Sequence, residues 1–175
     1  MHIIDLTQTL YNNMPVYPGD PAVSIQEIHT LEKEGWNLRQ LTLTTHIGTH
    51  VNAPYHMAQN GKTLDDLTLE RFFGKAVLYS SNMTFDTDIG VVFHSQNIDM
   101  KLVRQLVKTP PKFVGLSAQF EFDIPVEKLL CENDIVSFEN LANTDQLPAS
   151  FTFYGLPLKI KESDGSPIRA FVISG

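Results

Sequence analysis

His46-Ile47-Gly48-Thr49-His50-Val51-Asn52-Ala53-Pro54-Tyr55-His56 gathers three of the chain's six histidines around a Gly-Thr turn. The residues before it alternate in the manner of a half-buried strand. Leu41, Leu43 and Thr45 fall on one face, and Gln40, Thr42, Thr44 and His46 on the other, so His46 is expected at a strand end. Gly48 permits a tight turn without a Cβ penalty, which lets His50 fold back toward His46. Asn52 follows two residues later, on the same side if the backbone is extended there. Pro54 fixes its own φ and biases Ala53 toward an extended conformation, so His56 sits on a stiff segment. Two imidazoles and a side-chain oxygen that converge, with a third imidazole close by, have the chemistry of a metal site. His2, His29 and His94 lack such company and read as surface or hydrogen-bonding residues.

Composition narrows the partners. With 175 residues, 42% of them apolar, the chain suits one compact domain spanning 1–175. A net charge of −7 without a Lys/Arg run argues against nucleic acid and against an anionic membrane, leaving small molecules. The opening residues lack the basic and apolar regions of a signal peptide, and no segment is long enough to span a bilayer. Cys131 is alone, which excludes an intrachain disulfide and fits a cytoplasmic location. Its Leu129-Leu130-Cys131 setting reads as a packed thiol.

The periodicity predicts mostly strands, at 3–6, 23–31, 37–46, 75–80, 90–93, 112–116, 134–138, 151–160 and 167–173. The last two are expected to form a hairpin whose turn contains Asp164-Gly165. Asp99 caps a predicted helix running to Lys108, with Met100, Val103, Leu106 and Val107 on one face. Shorter helices are expected at 68–73 and 124–131, and on residue pattern alone Glu127 belongs to the solvated face of the latter.

The histidine string closely resembles the H-x-G-T-H-x-D-A-P-x-H signature of the Putative cyclase family, which includes bacterial kynurenine formamidase and isatin hydrolase. Asp5-Leu6-Thr7 with Met14-Pro15-Val16-Tyr17-Pro18-Gly19-Asp20-Pro21, Glu139-Asn140-Leu141 with Leu147-Pro148, and Phe151 to Leu158 resemble further family segments. The likeness covers roughly residues 1 to 80 and 112 to 175. It implies a single-domain α/β fold: a mixed-sheet, barrel-like β core with flanking helices, described as a swivelling β/β/α fold. Carried over residue by residue, it implies a metal shell of His46, His50, Asn52, Glu127 and Glu139, with His56 as the proton carrier. The reaction implied is hydrolysis of a small amide, formamide, cyclic imide or lactone, with N-formylkynurenine the substrate suggested most directly. A homodimer or higher homo-oligomer is implied as well.

The chain departs from the signature in four places. Asn52 stands where the family has Asp, and Glu127 where a metal-binding His is typical. The segment Val91 to Asn97 is shortened, and Ser117 replaces an Asp. Within the implied metal shell, Asn52 loses one carboxylate and Glu127 supplies another, so the nitrogen count falls. Paired imidazoles still suit Zn²⁺, whereas the added oxygens suit Mn²⁺, and a neutral amide favours one ion over two. A family member that binds a metal or small ligand without turnover is the alternative reading. Retention of His56 beside the ligands favours an enzyme.

Overall fold

The computed structural model describes residues 1–174. Eleven strands and two helices follow in chain order: β1 (His2–Asp5), β2 (Ser24–His29), β3 (Leu38–Thr42), β4 (His50–Asn52), β5 (Phe73–Leu78), β6 (Gly90–Phe93), α1 (Met100–Leu106), β7 (Val114–Ser117), α2 (Ile124–Glu132), β8 (Ser137–Leu141), β9 (Ser150–Tyr154), β10 (Gly165–Pro167) and β11 (Phe171–Ser174). Nine strands form one curled mixed sheet in the order β1-β11-β9-β5-β6-β7-β8-β4-β10, and β2 pairs only with β3. The run β5 to β8 is parallel, with α1 linking β6 to β7 and α2 linking β7 to β8. Beyond the last residues of β1, the Leu6 amide donates to Ala170 O and the Ala142 amide to Leu6 O, which draws distant strands together into a half-barrel. This is the mixed-sheet, barrel-like α/β architecture expected from the sequence.

Apolar runs in β6 and β7 reflect burial on both faces. Val92 joins the cluster inside the curl, among Phe113, Phe138 and Phe153, whereas Val91 and Phe93 join the cluster beneath α1 and α2. The three inner phenylalanines meet edge-on or tilted, with ring centroids 4.7–5.4 Å apart. Asp99 caps α1 as anticipated, its Oδ1 accepting from the Leu102 amide at 2.7 Å.

Three expectations need correction. β3 ends at Thr42 and all five of its residues are exposed, because the β2–β3 arm has no second sheet to lie on. The segment predicted as a helix at 68–73 is a 3₁₀ turn, Leu69–Phe72, and Phe73 already begins β5. The expected terminal hairpin does not form around Asp164-Gly165. β9 does pair with β11, but the residues between them detour so that β10 pairs with β4. Strand β4 itself was not anticipated, and it carries the centre of the histidine motif.

Phe153 is fully buried against both other rings. Phe153→Ala should destabilise the protein by about 3–5 kcal/mol, lowering the melting temperature by on the order of 10 °C. A melting temperature within about 2 °C of the parent would mean that this cluster does not hold the curl.

Candidate functional site

The pairing of β4 with β8 puts His50 opposite Glu139 and Asn52 opposite Ser137, while Val51 and Phe138 between them face the core. This is the period-two consequence of a strand: one face becomes chemistry and the other packing. Gly48, at φ +57°, makes the turn that starts β4. The Gly48 carbonyl accepts from His50 Nδ1 at 2.8 Å and from Asn140 Nδ2 at 3.2 Å, so Nε2 of His50 is free and lies 3.5 Å from Glu139 Oε1.

Asn52 is fully buried and every polar atom of its amide is engaged. Nδ2 donates to Glu139 Oε1 at 2.6 Å and to Glu127 Oε1 at 2.8 Å, with Ser137 Oγ 3.3 Å from the same nitrogen. Its Oδ1 accepts from His46 Nδ1 at 2.8 Å. Glu127 lies in the first turn of α2 and is 7% exposed, so this helix turns an acid inward rather than toward solvent. Burial pushes the Glu127 carboxyl up to about 8, with the neighbouring Glu139 charge adding to the effect.

His56 ends the 3₁₀ turn Pro54–His56, with Nε2 at 3.5 Å from Glu127 Oε1. Its ring lies 3.9 Å from that of His46, centroid to centroid. Sequence reading missed Ser137 and, more consequentially, Asp164. Asp164 Oδ2 accepts from His46 Nε2 at 2.8 Å and from His56 Nδ1 at 3.4 Å, and Oδ1 accepts from Thr45 Oγ1 at 3.0 Å. Hydrogen bonds from His46 and then His56 hold the Asp164 carboxyl well below the usual carboxylate range. Burial pulls the His46 imidazole down, but Asp164 more than offsets this and leaves it above its ordinary value. Gly165 makes the approach possible: a Cβ there would stand 2.6 Å from His46 Cε1 and 2.9 Å from Val51 O. No spacing rule points to Asp164, which follows His56 by 108 positions.

The structure thus brings His46, His50, Asn52, His56, Glu127 and Glu139 into one network and adds Asp164 and Ser137. Among the described residues, the ion-pair partners of Glu127, Glu139 and Asp164 are all histidines, with no Lys or Arg. Three acids and three imidazoles without a permanent cation form a donor set that fits a divalent metal. One atom from each of His46, His56 and Asp164 lies within 4.8 Å of the others, a spacing that a single ion could bridge. Cys131, one helical turn beyond Glu127, is a buried thiol pushed up to about 12 by burial and then by the Glu127 charge, so it is packing and not a nucleophile.

Comparison with known proteins gives concordant matches. The family model described as Putative cyclase matches residues 4–118. A kynurenine formamidase of Salinibacter ruber is 28% identical over 204 aligned positions, covering 97% of this chain and 96% of that one. An isatin hydrolase bound to the product analogue thioisatinate superposes with a TM-score of 0.83 at 20% identity, over 98% of this chain and 92% of that one. A protein described as a potential metal-dependent hydrolase with cyclase activity gives 0.78 at 20% identity, over 98% and 96%. At such identities the structural matches establish a shared fold.

The folded protein holds a proton on Glu127 up to about pH 8 that the unfolded chain releases in the ordinary carboxyl range. In chelator-treated protein, this group's contribution to stability therefore falls as pH rises through that interval. Glu127→Gln, which keeps an acceptor for Asn52, should raise the melting temperature at pH 8 by several degrees, roughly 1–3 kcal/mol, and change little near pH 4.5. Parallel pH profiles for variant and parent would contradict a buried, strained carboxyl.

Proposed function

Because the chain belongs to the Putative cyclase family, we propose that it is a metal-dependent hydrolase of a small amide, with an arylformamide of the kynurenine type as the first substrate class and cyclic imides and lactones as the next. The observation that carries this reading is the convergence of three imidazoles on three carboxylates that, among the described residues, have no Lys or Arg partner. The names of the relatives support it: kynurenine formamidase and isatin hydrolase both describe hydrolysis of such bonds.

His46, His50, Asn52, Glu127 and Glu139 would hold one Zn²⁺ or Mn²⁺, His46 through its inward Nδ1 and His50 through the Nε2 left free by its bond to Gly48. When bound, the cation acidifies a water and polarises the substrate carbonyl. His56 is the proton carrier. It receives the proton of the attacking water as the oxygen joins the carbonyl carbon, then delivers it to the departing nitrogen as the C–N bond breaks. The imidazole has a neighbour for each nitrogen, Glu127 at Nε2 and Asp164 at Nδ1, which holds the ring toward the site. The alternative, binding without turnover, draws on the Asn52 NH₂ group, which already donates to both Glu127 and Glu139.

The β2–β3 arm supports a homo-oligomeric state. Ile28, Leu31, Trp36, Leu38 and Leu41 on this arm are 43–63% exposed, and an isolated two-stranded ribbon is marginal in water. A second copy of the chain is the proposed cover, helping to wall the site.

Elemental analysis tests the metal first: changing both His46 and His50 to Ala should abolish binding, and an unchanged stoichiometry would defeat the assignment. His56→Ala should leave metal content nearly unchanged while lowering kcat by about 10²–10⁴-fold. Loss of metal in that variant would make His56 a ligand, and inactivity of the metal-loaded parent on every formanilide, imide and lactone tried would favour binding without turnover. Light scattering should give a dimer or larger assembly at micromolar concentration, and an active monomer would refute the shared wall.

A further inference from the structure

We infer that Asp164 is a positioning residue that aims both outer histidines: one carboxylate turns His46 so that its Nδ1 points inward and turns His56 so that its Nε2 does. The inference rests on the hydrolase reading for its consequence, but its geometry stands apart from it. Oδ2 of Asp164 takes the outward nitrogen of each ring, Nε2 of His46 at 2.8 Å and Nδ1 of His56 at 3.4 Å. The opposite nitrogens then face Asn52 Oδ1 and Glu127 Oε1, at 2.8 and 3.5 Å. Both rings are held by a single atom.

That atom is well anchored. The second carboxylate oxygen accepts from Thr45 Oγ1, and the Asp164 carbonyl accepts from the Ala53 amide at 2.8 Å. The preceding residue is fixed too, because Ser163 O accepts from the Leu64 amide and Ser163 Oγ donates to Gly165 O at 2.7 Å. Gly165 completes the arrangement by leaving room for the His46 ring. A histidine that serves a metal through one nitrogen commonly donates its other N–H to a carboxylate, which fixes both tautomer and orientation. Here the same carboxylate also serves the proton carrier, so ligand and base are aligned together.

The test compares the parent with Asp164→Ala and Asp164→Asn. Three quantities are read: the ¹⁵N–¹H correlations of the His56 ring in chelator-treated protein, Zn²⁺ and Mn²⁺ affinity by calorimetry, and kcat and KM on a formanilide that the parent hydrolyses. The parent should carry the His56 proton on Nδ1. In Asp164→Ala it should move to Nε2, metal affinity should fall about 10–100-fold, and kcat should fall at least about tenfold with little change in KM. Asp164→Asn keeps an acceptor and should recover part of each. A His56 tautomer and metal affinity unchanged in Asp164→Ala would overturn the proposal. Complete loss of metal in both variants would overturn it as well, making Asp164 a ligand. A parent that binds no metal would defeat the hydrolase reading alone, because the ring spectra of the chelator-treated protein still decide what Asp164 does.

Discussion

Glu127 and Glu139 approach each other from a helix and a strand, and a single amide group donates to both. Two carboxylates a few ångströms apart in a site of intermediate polarity repel by about 4 kcal/mol, so their neighbours must supply protons or positive charge. Nδ2 of Asn52 meets part of that requirement by donating to both. Its orientation then decides the rest. With NH₂ turned to the acids, Oδ1 faces His46, whose other nitrogen turns to Asp164, which in turn reaches His56 and Thr45. A buried polar chain of this kind is favourable only when every member has a partner, and these members do. Strand register makes it possible: a shift of one residue between β4 and β8 would send Asn52 and His50 into the phenylalanine cluster.

Charge bookkeeping also explains how the chain departs from the signature it resembles. An acid is missing at position 52 and one has been gained at position 127, so the negative charge is preserved while its location moves from the strand to the helix. An Asp at position 52 would face two further acids. The amide relieves that crowding.

What could be read from the sequence was whatever is encoded locally. The eleven-residue histidine string and the apolar runs of β6 and β7 are visible as patterns of consecutive residues, and the Asp99 cap is made by a residue three positions away. What could not be read depends on distant partners. The inward turn of Glu127 is set by the acid and amide of two strands, whereas residue pattern alone puts it on the solvated face of its helix. Asp164 looks like an ordinary Asp-Gly turn until β10 is seen to lie along β4. The alternation of β3 suggested a buried face, yet no sheet lies beneath it.

The β2–β3 ribbon carries a further implication for the order in which the molecule comes apart. It is tied to the rest through a small cluster of Met14, Val23 and Ile47, with Leu10, Val16, Ile25 and Leu43 at its margin, while the half-barrel owns both large clusters. Regions with few buried apolar partners open at a small fraction of the global free energy. Where no second copy covers it, the ribbon should therefore be the first cooperative unit to exchange its amide hydrogens. Since Leu43 leads directly toward His46, opening the ribbon frees the leading edge of the histidine segment while the core remains folded.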